Sequence, residues 1–207
     1  MTTSPGEGLL AVLYRSRALG LLGPGPVERH VEHAEALGDV SGRPTGTALD
    51  LGSGGGVPGL VLALRWPGTA WVLLDAAERR VAFLEDALRH LGLTDRVRAV
   101  CARAEEVTVR GLVARESVEL VVARGFGPPA VTAECAAPLL ALSGRLVVSE
   151  PPAPEAGRWP PEPLRELGFV ARAAAAAGLS FAVLDKVAAC PPRLPRRAGR
   201  AARQPLF

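Results

Sequence analysis

Asp50-Leu51-Gly52-Ser53-Gly54-Gly55-Gly56-Val57-Pro58-Gly59 decides how this chain folds. An acid closes a short apolar run, and glycine then returns at alternate positions, Gly52, Gly54 and Gly56. Residues without a Cβ give a tight turn whose bare backbone a ligand can approach, at a helix start where unpaired N–H groups point outward. Upstream, Thr47–Leu51 reads as a short buried strand; downstream, Pro58 to about Trp66 reads as a helix ended by Pro67-Gly68. The alternation continues. A strand over Ala70–Leu74 closes on Asp75, and Glu78–Leu91 places Val81, Leu84, Leu88 and Leu91 on one helix face before Gly92. Arg96–Ala102 and Val118–Ala123 read as third and fourth strands, Pro129–Leu142 as a helix stopped near Gly144, and Arg145–Ser149 as a fifth strand. Short apolar runs alternating with amphipathic helices predict an α/β fold, doubly wound around a mostly parallel sheet.

The flanks read differently. Residues 1–6 are small and polar enough to be loose, and Glu7–Leu22 is dense enough in leucine and valine for a short helix. Gly23-Pro24-Gly25-Pro26 breaks it, a second helix opens at Pro26 or Val27 and runs through Leu37, and Ser41–Gly46 is a loop. Residues 1–46 are thus expected to form a small helical cap, 47–190 the α/β domain, and 191–207 a basic tail. Residues 151–163 hold six prolines and read as a loop or flap. Phe169–Ala175 and Ser180–Ala189, with Gly178 between them, read as a terminal hairpin added to the sheet.

A chain of 207 residues that is 48% hydrophobic and 22% charged, with mean hydropathy +0.21, describes one globular domain with a substantial core. No apolar run reaches the roughly 18–20 residues that span a bilayer, and residues 1–8 lack a basic patch followed by an apolar stretch. A cytoplasmic location is therefore expected, with no membrane partner. Cys101, Cys135 and Cys190 are odd in number and scattered, so neither a disulfide framework nor a metal site is expected. Cys101 and Cys135 read as small buried apolar residues of a strand and a helix. The net charge of +3 is carried almost wholly by arginine, Lys186 being the one lysine, a skew that looks compositional and argues little for nucleic acid. Position argues more: Arg193, Arg196, Arg197, Arg200 and Arg203 share a tail without an acid, leaving the rest of the chain net acidic. Such a tail can hold RNA phosphates or remain a solvated end. The oligomeric state is not legible.

The glycine turn admits two ligand readings and one without a ligand. Gly54-x-Gly56-x-x-Gly59 satisfies the dinucleotide fingerprint, while Asp50-x-Gly52-x-Gly54-x-Gly56 resembles motif I of the class I S-adenosylmethionine methyltransferases. Asp50 would repel a pyrophosphate. The single Tyr14 and single Lys186 also leave no Tyr-x-x-x-Lys pair for hydride transfer. Asp75, 19 residues beyond Gly56, can accept hydrogen bonds from both hydroxyls of a ribose, or simply cap the next helix; Ala76 follows it. Ala104 and Glu105 follow the third strand, where methyltransferases hold the adenine edge; Glu105 also reads as an ordinary exposed acid. Arg124 closes the fourth strand, where a guanidinium can hold a phosphate or the O6/N7 edge of guanine, or form a surface ion pair. Ala123-Arg124-Gly125-Phe126-Gly127-Pro128-Pro129 lacks the Asn/Asp-Pro-Pro-aromatic motif of amine methylation. A nucleophile with its own lone pair, such as guanine N7, needs no general base, so no catalytic His or Cys is required.

Several stretches together resemble the glucose-inhibited division protein B (RsmG) family of 16S ribosomal RNA guanine-N7 methyltransferases. The glycine turn with its Pro58-Gly59 ending, Leu73-Leu74-Asp75 with Arg79–Leu84, Ala102–Glu106, Ala123-Arg124-Gly125 in place of Ser-Arg-Ala, and the arginine tail carry the likeness. It implies a Rossmann-like class I methyltransferase fold and S-adenosyl-L-methionine as cofactor. Asp50, Gly52, Ser53, Gly54, Gly56, Asp75, Ala76, Ala104, Glu105 and Arg124 would then lie about that cofactor, with Arg124 also on the catalytic side. Ribosomal RNA or the small subunit would be the partner. The chain departs from the pattern at Arg29-His30-Val31-Glu32-His33-Ala34, where the family has Arg-His-Leu-x-x-Ser, and at Ser149-Glu150-Pro151, where it has Leu-Lys-Gly. His30 and His33 otherwise read as surface or packed helix residues. These departures keep open a diverged methyltransferase of another substrate, and a module that binds without catalysis.

Overall fold

The computed structural model describes residues 5–207. Of the segment expected to be loose, residues 1–4 lie outside the described residues, while Pro5 and Gly6 already open helix α1 (Pro5–Ala18). Helix α2 (Val27–Ser41) follows the Gly-Pro break and runs a turn past the expected Leu37. Then come β1 (Thr47–Leu51), α3 (Gly59–Arg65), β2 (Ala70–Asp75), α4 (Glu78–His90) and β3 (Val97–Cys101). A short 3-10 turn, Ala104–Glu106, leads toward β4 (Val118–Ala123). The rest is α5 (Pro129–Ala136), β5 (Leu140–Ser149), α6 (Pro161–Glu166), β6 (Phe169–Ala176), β7 (Leu179–Lys186) and α7 (Arg200–Arg203).

All seven strands join one sheet in the order β3-β2-β1-β4-β5-β7-β6. The first five are parallel, and the terminal hairpin enters with β7 antiparallel to β5. The period-2 alternation of the strands sorts their side chains onto two faces. Ala48, Trp71, Leu73, Leu120 and Val122 pack under α1–α4, whereas Leu49, Val72, Leu74, Val121 and Leu146 pack under α5 and α6. Strand order reverses at β1, between β2 and β4, which opens a crevice at the carboxyl ends where Asp50, Asp75 and Arg124 stand.

Three expectations are corrected. The helix expected over Pro129–Leu142 stops at Ala136, and its apolar end, Leu140 onward, is already strand. Pairing jumps from Val118↔Leu140 to Leu120↔Arg145, so Ser143-Gly144, with Ser143 at φ 66°, is a bulge in β5 and not a helix stop. Cys101 is exposed, being the last residue of the edge strand β3; Cys135 is buried as expected. The proline stretch carries a helix, α6, opened by Pro161 at its first position, where a missing N–H costs nothing.

The tail is docked. Cys190, Leu194 and Ala201 are buried, and the Arg115 guanidinium donates to the carbonyls of Cys190, Pro191 and Leu194. Arg196, one of the five tail arginines, is spent on the buried carboxylate of Glu134. A fully solvated end is therefore excluded.

Candidate active site

The glycine turn connects β1 to α3, and its fold is set by two carboxylates. Asp50, 1% exposed, accepts the Gly59 N–H at 2.9 Å and so ties the end of β1 to the first turn of α3. A Cβ on Gly59 would lie 2.6 Å from that Asp50 oxygen and 2.4 Å from Leu73, so this close approach requires glycine. Burial pushes the Asp50 carboxyl up to about 7, with the Gly59 amide pulling the other way. Ser53 is buried, its hydroxyl donating to the Asp50 carbonyl, while the Gly52 and Ser53 amides donate to the Leu74 carbonyl. Helix α1 seats on the turn from outside, the Ser16 hydroxyl donating to the Gly55 carbonyl at 3.0 Å.

Asp75 closes β2 facing the same turn. Its Oδ2 accepts the Gly54 N–H at 2.9 Å and Arg80 Nη1 at 3.4 Å, and its Oδ1 accepts the Ala77 N–H at 2.9 Å. The helix-cap reading of this residue does not hold: Ala77 is the N-cap of α4, which has no side-chain cap, and at that helix start Asp75 takes only the N–H of Ala77 itself. A carboxylate has about four acceptor positions, so capacity remains. Asp75 lines a cavity of about 190 Å³ with Gly52, Ala76, Arg80, Ala104 and Phe126. Gly52, at φ +77°, forms its floor, and a Cβ there would reach 2.7 Å from the Phe126 ring. Glu105 faces elsewhere: its Oε1 accepts the Gly199 N–H at 2.8 Å and anchors the tail.

Arg124 follows the last residue of β4, directly before Gly125 and Phe126, and lines a second cavity of about 450 Å³ with Pro24, His30, His33, Ala177 and Leu179. Arg124 Nη2 bonds His30 Nδ1, and His30 Nε2 meets the Gly23 carbonyl at 3.1 Å. Burial lowers the Arg124 pKa, opposed by the nearby Asp50. Burial, then the Arg124 charge, lowers His33 to about 4, so it is neutral near pH 7. Neither histidine nor Arg80 nor Phe126 stood among the expected site residues. The Arg29-His30 pair was legible, but that α2 turns both imidazoles toward β4 depends on tertiary packing.

At the end of β5, Glu150 accepts Arg158 Nε at 2.7 Å and Trp159 Nε1 at 3.0 Å, pinning the proline segment at both ends. No His or Cys lines the Asp75 cavity among the described residues. The site offers acceptors, bare backbone and the guanidinium groups of Arg80 and Arg124, a set suited to orienting reactants.

The family description "rRNA small subunit methyltransferase G" matches residues 27–151, which is more than half of the chain. The chain belongs to this family. A ribosomal RNA small subunit methyltransferase G of Kineococcus radiotolerans is 39% identical over 132 residues, covering 62% of this chain and 50% of the relative. The chain spans about half the length of several curated relatives it matches. Among solved structures, a Geobacter sulfurreducens methyltransferase aligns with TM-score 0.60 at 14% identity over 91% of both chains. A geranyl diphosphate methyltransferase in complex with S-adenosylmethionine aligns with TM-score 0.59 at 14% identity, over 76% of this chain and 85% of that one. The fold of this family member is thus the Rossmann-like class I methyltransferase fold.

Proposed function

We propose that this chain transfers a methyl group from S-adenosyl-L-methionine to N7 of a guanine in 16S ribosomal RNA, acting in the cytoplasm on the small subunit or its RNA. One observation carries the reading: the Asp75 carboxylate, with acceptor capacity to spare, lines a cavity floored by side-chain-free Gly52. A nucleoside fits this donor set. Asp75 would take the ribose hydroxyls, Ala76 and Ala104 would flank the base, and the turn from Gly52 to Gly56 would pass the amino-acid portion. The bound cofactor supplies an electrophilic methyl. The chain's own residues bind and orient, and Arg124 stands at the adjoining edge to meet the acceptor. Arg80, whose guanidinium meets Asp75, would help to hold that carboxylate in place. Residues 1–46 would act as a cap on the donor turn, residues 47–190 as the catalytic domain, and residues 191–207 as a basic arm along its edge.

A second reading, the same transfer on another RNA or a small molecule, is favoured by Glu150, which places a buried carboxylate where the family pattern has lysine.

Titration calorimetry with S-adenosylhomocysteine tests the first part. Asp75→Ala removes charged acceptors and should weaken binding about tenfold or more; unchanged affinity would place the nucleoside elsewhere. Mass mapping of ribosomal RNA from a deletion strain tests the second part. Loss of one N7-methylguanine from 16S RNA is expected, and an unaltered map would move the substrate to the second reading.

A further inference from the structure

Among the described residues four buried side-chain polar atoms have no hydrogen-bond partner, His33 Nδ1, Trp71 Nε1, Arg124 Nη1 and Ser149 Oγ, and two of the four, Arg124 Nη1 and His33 Nδ1, belong to residues of the same 450 Å³ cavity. Buried polar atoms are ordinarily satisfied, so an unpaired donor and an unpaired imidazole nitrogen in one cavity describe a ligand edge. Arg124 Nη2 is already committed to His30, which fixes the guanidinium and leaves Nη1 an unpaired donor buried in the cavity wall. His33 is neutral near pH 7, so one of its ring nitrogens is a bare acceptor, and Nδ1 is the buried one without a partner. The cavity volume is that of a small-ligand site, and its remaining walls are the apolar Pro24, Ala177 and Leu179 and the paired charges of Arg29 and Glu32. Phe181 meets the His33 ring edge-on, centroids 5.5 Å apart, and limits its rotation.

We infer that His33 and Arg124 together form a reading head for the O6/N1–H edge of an unstacked guanine, with Arg124 donating to O6 and His33 Nδ1 accepting N1–H. This rests on the methyltransferase reading above and specifies which edge its second cavity holds. The alternative, a bidentate arginine on O6 and N7, occupies the N7 lone pair that must form the new N–C bond as the C–S bond of the sulfonium breaks. Holding O6 and N1–H leaves that lone pair free toward the adjoining cavity, whose wall includes Gly125, the residue directly after Arg124. Adenine presents the inverse pattern, N6–H donor and N1 acceptor, and would set donor against donor at Arg124 and acceptor against acceptor at His33. His33 is thus a specificity residue that the sequence pattern did not mark.

The test uses the full chain with isotope-labelled histidine, followed by NMR. Guanosine and inosine 5′-monophosphates share the O6/N1–H edge and should both shift the His33 imidazole resonance saturably, whereas adenosine 5′-monophosphate should not. His33→Leu keeps an apolar neighbour for Phe181 but removes the acceptor, and should lose on the order of tenfold of the guanine-over-adenine preference. His33→Gln restores an acceptor and should recover part of it. Equal response to all three nucleotides, or a His33 signal that none of them moves, would overturn the inference. S-adenosylhomocysteine binding is measured on the same samples. Cofactor binding without purine discrimination would overturn the reading head alone, and absence of both would overturn the methyltransferase reading on which it rests.

Discussion

At the scale of single residues, the two carboxylates at the strand ends do different physical work. Asp75 retains about one acceptor position and lines a cavity, whereas Asp50 is spent internally on the Gly59 amide and is shut off from solvent. That distinction was not legible in the sequence. An acid at the end of a buried strand is the same pattern in both roles, and only the fold decides what the carboxylate faces. Its consequence is a pH dependence of stability. Asp50 has its carboxyl raised to about 7 in the folded chain, against an unfolded value near 3.8. Between those limits the folded state holds a proton that the unfolded state releases, so this group's contribution falls as pH rises from about 4 to 7 and is level above that. The full effect is on the order of a few kcal/mol. Asn at this position keeps an acceptor for Gly59 and cannot ionise, so urea midpoints of Asp50→Asn measured from pH 5 to 8 should lose that decline. Parallel profiles for wild type and variant would show that Asp50 does not titrate there.

At the scale of elements, what repeats was legible and what interrupts was not. Strands β1, β2 and β4 and helix α4 follow from apolar period and from punctuation by Gly92 and Pro67-Gly68, signals that are local. The bulge at Ser143-Gly144 escaped because a positive φ in the middle of a strand imitates a helix end, and α6 escaped because its prolines read as loop. Glu150 shows the same limit. Its replacement of lysine was visible, but not that the carboxylate is 4% exposed and holds Arg158 and Trp159 across the intervening proline segment. This clamp ties residues 151–159 to the end of β5. Removing it with Glu150→Ala strands the Trp159 N–H and one face of a half-buried guanidinium. We expect a loss of about 1–3 kcal/mol and faster amide exchange and proteolysis confined to that segment. Glu150→Gln keeps one acceptor oxygen of the two and should be milder. Exchange rates unchanged in Glu150→Ala would mean that the prolines alone hold the segment.

At the scale of the whole molecule, charge is distributed by docking and not by composition. The one lysine, Lys186, is buried with its ammonium on the Leu167 carbonyl and over the Phe169 ring, so it adds nothing to the surface field. Arg196 is consumed by Glu134 and Arg193 meets Glu166, which leaves Arg197, Arg200 and Arg203 exposed on a tail held beside the Asp75 cavity by Glu105 and Gly199. Deleting the tail would therefore confound two effects, since it also leaves the Glu134 carboxylate buried without its partner, a costly defect in its own right. Replacing Arg197, Arg200 and Arg203 together by serine separates them, because the side chains that dock the tail are those of Arg115, Arg196, Glu105 and Glu134. If the three exposed arginines meet RNA phosphates, affinity for a 16S fragment should fall. The slope of log K against log salt should also become shallower by about 0.7 for each phosphate no longer neutralised, or about two in all. S-adenosylhomocysteine affinity and the melting midpoint should stay at wild-type values, since the anchoring side chains are untouched. A salt slope equal to that of the wild type would remove the exposed arginines from RNA binding and leave the tail as a structural strap.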